Sequence, residues 1–425
     1  MKKPFPFLLL ILIICSTRAF SQEVRLAEVG RDSVWQNDVK SIYFTRSGLE
    51  LEAPVIQLGG NERLVLHFDL LGLEPKDLRY RITHCDADWH PDLPDPYDYI
   101  SGFEEENINN YESSFTTLQP YFHYHQTLPS RNTRFLVSGN YLLSVFIQDE
   151  PDSILFTRRF YVEEHLLDAD IEITTPKAGI GNPRRDVEVD VSLGLAEGKI
   201  LNLSPQFLTV RVQQNRRTDL VRTLSFSGYN GSMLAYRWQN ENVFPGGNCF
   251  RYFDISNLHT PMYNVQKVDQ YADELFAFIR PEQDRSRKNY SHEEVLRGGM
   301  KTNAFDRHNP HLEGDYVWVS FSLPLEQPFL DGSVHIVGQL TDWELTDRSR
   351  MEWQPQYKAY TARMLLKQGY YAYQLLFLRA GEMEAVSYKL EGDHYETHND
   401  YTIYVYYHFP NDRSDRLVLV HQLKQ

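Results

Sequence analysis

The chain has 425 residues, 42% of them hydrophobic and 24% charged, with a formal net charge of −15. That acidity argues against a nucleic-acid partner, whose phosphates demand a basic surface, and against adhesion to anionic lipid. Three cysteines exclude a disulfide-built scaffold, and the length predicts about two to four domains.

Lys2 and Lys3 open the chain, Phe5 to Ile14 is apolar, and Ala19-Phe20-Ser21 supplies small residues before a cut at Gln22. Residues 1–21 therefore read as a cleavable secretory signal. The apolar run is shorter than the roughly 20 residues a bilayer span needs. Cys15 follows the bulky Ile14, where lipoprotein processing requires a small residue, so no lipid anchor is expected. Cleavage removes Lys2, Lys3 and Arg18 and takes the charge from −15 to −18. With a mean hydropathy of −0.48 and no later long apolar stretch, the mature chain is expected outside the cytoplasm, without membrane insertion.

Period-2 patterns dominate the mature chain. From Arg63 to Leu70, Leu64, Leu66, Phe68 and Leu70 share one face opposite Arg63, His67 and Asp69, the pattern of a strand with one buried side. Aromatic density peaks between Tyr80 and Tyr141. There His84, Cys85, Asp86, Asp88 and His90 form the densest ligand-like cluster. It meets neither zinc-pair nor EF-hand spacing, so the expectation is a strand ending in an Asp-rich turn with Trp89 packed beneath. The segment 91–103 (PDLPDPYDYISGF) is too irregular for a strand. It reads either as a partner-binding loop presenting Trp89, Tyr97, Tyr99 and Phe103, or as a packed cover over the sandwich edge. His123 and His125 point the same way without a nameable third ligand, which predicts a half-buried Tyr/His face rather than a metal site.

A first boundary is expected between Val162 and Ile171, and a polar excursion from Arg280 to Gly314. Within that excursion His292-Glu293-Glu294-Val295-Leu296 lacks the second His of a zinc protease, and Gly299-Met300-Lys301-Thr302 fails the phosphate-loop spacing. No nucleophile elbow is present. Cys85 and Cys249 read as two separate thiols, with a single bridge as the alternative. Val317, Val319, Phe321 and Leu323 form another one-sided strand. The run from Val334 to Trp343, followed by Trp353 and Gly369 to Tyr373, resembles the early-set, glycogen-binding class of sandwich modules. That resemblance makes Trp343 and Trp353 the candidates for stacking carbohydrate, although the Trp closing such a turn usually belongs to the core. The class is all-β: consecutive β-sandwich domains of immunoglobulin-like or early-set type. The expected limits are 22–165, 166–300 and 315–425, with a linker at 301–314.

Several motifs together carry a wider resemblance. They are His84 to Trp89, Tyr99 to Phe103, Asn110 to Thr117, Tyr121 to Tyr124, Ser138 to Tyr141, Gln214-Asn215, Leu234 to Tyr236, Phe244 to Asn248, Phe250 to Asp254, Asp315 to Pro324, Leu366 to Gln374 and His398 to Tyr401. In this combination the chain resembles the type IX secretion system plug proteins of the Bacteroidota. The resemblance implies a periplasmic, non-enzymatic accessory that closes the periplasmic mouth of the outer-membrane translocon barrel while its lateral gate is shut. It implies that β-barrel as the partner, and no cofactor, metal, catalytic residue or small-molecule substrate. Two positions depart from the pattern: Cys249 stands where an acidic residue is expected, and His398-Asn399 replaces a Glu-Asn-like pair. The alternative reading is a periplasmic carbohydrate-binding or glycan-processing protein that uses the C-terminal module.

Overall fold

Leu64, Leu66, Phe68 and Leu70 all point into one core, as their alternation predicts, on the strand Leu64–Leu71. The computed structural model describes residues 30–425 except 50, 51, 178, 239, 294 and 295. The expected signal at 1–21 lies outside the described residues.

The first domain packs a four-stranded sheet (Val39–Arg46, Leu64–Leu71, Tyr121–Leu128, Tyr111–Ser113) on a six-stranded one. The larger sheet is centred on Leu78–Cys85, Gly139–Ile147 and Glu150–Glu163. Between the sheets Phe68 stacks on Tyr124 at 5.1 Å and meets Phe156 edge-on at 4.9 Å, the geometries that aromatic quadrupoles favour.

The second domain uses chain from two distant places. Leu167–Thr174, Asp186–Leu195 and Met233–Tyr236 form one sheet. The facing sheet pairs Leu208–Gln214 with Asp400–Tyr407, which in turn pairs with Arg416–Lys424. Val189, Val191, Val210, Val212, Ile403, Val405 and Val418 share its core. The third domain is formed by the chain between these two stretches. Its strands run continuously from Arg251–Asp254 through Gly369–Arg379, Gly332–Val337, Arg350–Gln354, Ala359–Lys367, Tyr316–Pro324 and Glu274–Ile279 to Val265–Tyr271.

Strand pairing therefore divides the chain differently from the limits at 300 and 315. Residues 251–279 belong with the third core, and the final hairpin belongs with the second. Alternation identifies a strand but carries no information on which distant strand it pairs with. Among the described residues no helix is long and apolar enough to cross a membrane.

Candidate functional site

The aromatic, acid-rich signature is built into seams between domains. The strand Leu78–Cys85 ends at Asp86, whose Oδ1 accepts the backbone N–H groups of Asp88 at 2.8 Å and His90 at 2.9 Å. This is the expected Asp turn. It allows Trp89 a φ of 69°, and the ring lies under the Arg159 guanidinium at 4.3 Å and edge-on to Tyr161 at 5.4 Å. The same turn docks on the second domain. Ala87 N–H donates to Asp415 at 2.9 Å, Arg211 donates to the Ala87 carbonyl and the Asp88 carboxylate, and Tyr406 donates to Asn140 at 2.9 Å. The strand Asp400–Tyr407 is buried on both sides for this reason. Ile403 and Val405 enter its own core, while Tyr404 and Tyr406 turn outward onto Tyr161 and Ala87.

His84 does not face an open pocket. It is fully buried, its Nδ1 donates to Asp92 at 2.5 Å, and its ring stands edge-on to Tyr141 at 4.9 Å. The Cys85 thiol is pushed up to about 12 by burial and by the nearby Asp92 and Asp86 carboxylates. Cys85 and Cys249 are both free, so the bridge alternative falls away.

The seam between the first and third domains is polar and, around Asp69, buried. Asp69 Oδ2 accepts from Lys367 Nζ at 2.6 Å and from the Tyr316 hydroxyl at 2.6 Å, and Oδ1 accepts from His123 Nδ1 at 2.7 Å. Burial pushes the Asp69 carboxyl up, but the Lys367 ammonium and the His123 hydrogen bond overcome it and hold it below the usual range. His123 Nε2 meets His67 Nδ1 at 3.2 Å, and His311 stacks on His67 with ring centroids 5.7 Å apart. The expected Tyr/His face is thus a packed wall: His123 is buried and His67 partly so. Burial, then the surrounding imidazoles, pull the His67 ring down to about 4. Among the described residues no group of three or more His, Cys, Asp or Glu side chains is placed to hold a metal ion.

Between the second and third domains, Asn399 Nδ2 donates to the Gly246 carbonyl at 2.8 Å and Asn248 Nδ2 to the Glu391 carbonyl at 2.7 Å. The fully buried Glu391 carboxylate pairs with Arg251 at 2.8 Å and Arg285 at 2.6 Å. The polar run from Arg280 to Gly314, expected to stand off the core, thus supplies this seam with Arg285 and the first–third seam with His311.

The proposed contact residues separate clearly. Tyr99 is 3% exposed and its hydroxyl donates to the Ile82 carbonyl, so it belongs to the core and cannot meet a partner. Trp89 is partly covered by Arg159 and Tyr161 and serves as a wedge. Tyr97 and Phe103 are 78% and 62% exposed. Their loop is nonetheless ordered: Asp95 caps the short turn Pro96–Asp98, Asp98 pairs with Arg413 at 2.7 Å, and Ile100–Ser101 pairs with Arg134–Phe135. Gly102 has a φ of 116°, and a Cβ there would sit 1.8 Å from the Asn132 carbonyl oxygen, so only glycine lets the two loops approach. Tyr99 thus answers to the packed-cover reading, while Tyr97 and Phe103 stand exposed at the surface.

Trp343 is 8% exposed and meets Phe250 edge-on at 6.1 Å. Its ring lies in the wall of a cavity of about 620 Å³. Its burial is that of a turn-closing Trp in the core. Trp353 is half-buried against Tyr360 at 5.2 Å. Sequence reasoning assigns Lys367 and Asp69 no role. A charged residue closing an otherwise apolar strand, as in Leu365-Leu366-Lys367, is the signal that could have found them.

Residues 39–164 match the family model described as type 9 secretion system plug protein 1st domain. A crystal structure of a hypothetical protein from Parabacteroides merdae superposes with a TM-score of 0.89 at 28% identity, covering 93% of this chain and 99% of that one. Escherichia coli alpha-2-macroglobulin activated by porcine elastase aligns at 12% identity with a TM-score of only 0.18, over 90% of this chain and 30% of that one. Among curated proteins none matches the chain. The family match spans the sandwich that contributes Asp69, the His84–His90 turn and the exposed Tyr97 and Phe103. Residues 39–164 of this chain are accordingly similar to the first domain of type 9 secretion system plug proteins.

Proposed function

We propose that the chain works in the periplasm as a non-enzymatic stopper that closes the translocon barrel of the type 9 secretion system while its lateral gate is shut. The observation that carries this reading is the plug-domain match over residues 39–164. The physical build suits it. A stopper for a wide aqueous pore must resist deformation, and here three sandwiches are locked to one another by buried hydrogen bonds and ion pairs rather than joined by free linkers. The net charge of −15 keeps such a body in solution when it is undocked.

A reversible seal needs an interface of roughly 1,200–2,000 Å² with a few aromatic anchors. Tyr97 and Phe103 fit that part. They project from a loop already ordered by Asp95, Asp98 and Gly102, so docking them costs little conformational entropy. The test is cross-linking in the envelope through a photoreactive residue placed at Tyr97 or Phe103. Recovery of the type 9 outer-membrane barrel as the adduct supports the reading. Adducts with other proteins alone, or none, refute it.

A further inference from the structure

Between the first and third domains lies a cavity of about 420 Å³ whose walls carry an excess of cations. Lys40, Arg158, Arg348, Arg363 and Lys367 line it, against the single carboxylate of Asp342. Two of these cations are satisfied: Arg158 pairs with Asp342 at 2.5 Å, and Lys367 with Asp69 at 2.6 Å. The other three make no ion pair among the described residues. Arg348 donates to the Val34 carbonyl at 3.4 Å, and Arg363 lies 5.7 Å from the centre of the Phe276 ring.

In a chain with 58 acidic and 43 basic residues, this local surplus of positive charge runs against the overall balance. Lys40 is half-buried, and its burial, followed by the charge of Arg348, pulls its amine down to about 8. Asp38 and Asp342 oppose that pull without cancelling it, and cations that outnumber their counter-ions repel one another, the more so where one is partly desolvated. An entering anion offsets that repulsion.

We propose that this cavity binds a small oxyanion, a carboxylate or a phosphate, between the ammonium of Lys40 and the guanidinium groups of Arg348 and Arg363. The exposed arginines offer planar forks suited to two-oxygen recognition, and the lysine a point charge further in. Lys40 comes from the first domain and both arginines from the third, so an occupant ties the seam and stabilises the folded chain. The site stands independently of the translocon, and its failure would leave the stopper reading untouched.

The experiment is calorimetric titration of the full chain with inorganic phosphate and, separately, with a triaspartate peptide, alongside melting curves. The expected result is saturable one-to-one binding of at least one of the two, with a rise in melting temperature. Lys40→Gln and Arg363→Gln should each weaken it about tenfold, equivalent to about 1.4 kcal/mol. Preference for phosphate or for peptide identifies the source of the oxyanion. Arg363 is exposed, so its variant keeps the test intact if Lys40→Gln fails to fold. Absence of saturable binding of either anion up to about 10 mM, or equal affinity in wild type and folded variants, overturns the proposal.

Discussion

The Asp69 carboxylate and the Lys367 ammonium, 298 positions apart, meet at 2.6 Å with side chains 0% and 1% exposed. This pair joins the outer face of a first-domain strand to the end of a third-domain strand. The carboxylate also takes the Tyr316 and His123 hydrogen bonds, so its lone pairs are well used. Burial lowers the Lys367 amine, with Asp69 opposing, while Asp69 stays an anion.

Removing one partner should therefore cost far more than an exposed ion pair. Lys367→Met leaves a buried carboxylate unpaired and is expected to destabilise by about 3–5 kcal/mol. The double variant Asp69→Asn, Lys367→Met should recover part of that loss. Urea unfolding at neutral pH measures both. A single-variant cost below about 1 kcal/mol would show that the pair does not hold the seam.

Acid should weaken the fold through His67 and His335. Burial holds both near 4, with neighbouring imidazoles assisting at His67 and Arg350 at His335. Each is neutral when folded and takes up a proton on unfolding below about 6.5. Each should thus subtract up to about 1.4 kcal/mol per pH unit as pH falls from 6.5 to 4. Glu344 acts in the opposite sense. Burial first, then Asp342 and Asp32, raise it to about 7, so its contribution is present below about 4.5 and lost as pH rises to 7. Stability–pH curves should flatten on the acid side for His335→Gln and gain stability at neutral pH for Glu344→Gln. Superimposable curves for wild type and either variant would contradict the assignment.

Tyr97 and Tyr99 stand two residues apart and should respond in opposite ways. Tyr97→Ala is expected to change stability by no more than about 0.5 kcal/mol, yet weaken capture of the translocon barrel by about 1–2 kcal/mol, or roughly tenfold. Tyr99→Ala empties a core site and should cost about 3–5 kcal/mol of stability. Melting curves and quantitative pull-downs on the same variants separate the two effects. If Tyr97→Ala, alone and with Phe103→Ala, leaves capture intact, this loop is not the docking edge.

Gly246 should tolerate no side chain. A Cβ there would lie 2.2 Å from the His394 carbonyl oxygen and 2.6 Å from that of Arg185, both backbone atoms. Gly246→Ala is expected to destabilise by about 2–3 kcal/mol or more, as overpacking of rigid neighbours does. Thermal unfolding checks this, with Gly198→Ala as a position where nothing lies within 4 Å but φ is +71°. The Gly198 variant should lose only about 1 kcal/mol.

Cys85 and Cys249, both buried and unpaired, should resist a thiol reagent in the folded chain and react fully in denaturant. Rapid labelling of either in native buffer would show that its segment opens.

Much of the fold was legible in advance because a pleated strand sends successive side chains to opposite sides. Leu64 to Leu70 and Val317 to Leu323 face their cores as their spacing requires. The Asp86 turn followed from acid side chains that bond their own backbone. The outer faces were not legible. Asp69, Lys367, Tyr404 and Tyr406 occupy positions that alternation assigns to solvent or to a strand end, yet other domains cover them.

The amino-acid order by itself thus determined an all-β chain, its main strands and its sharpest turns, since those depend on neighbours within a few residues. Only the tertiary structure decided that the last hairpin completes the second sandwich, that Tyr99 and Trp343 are interior, and that Asp69 finds Lys367. Those outcomes depend on which distant strands pair and which sheet faces a neighbouring domain buries, and no local periodicity encodes either.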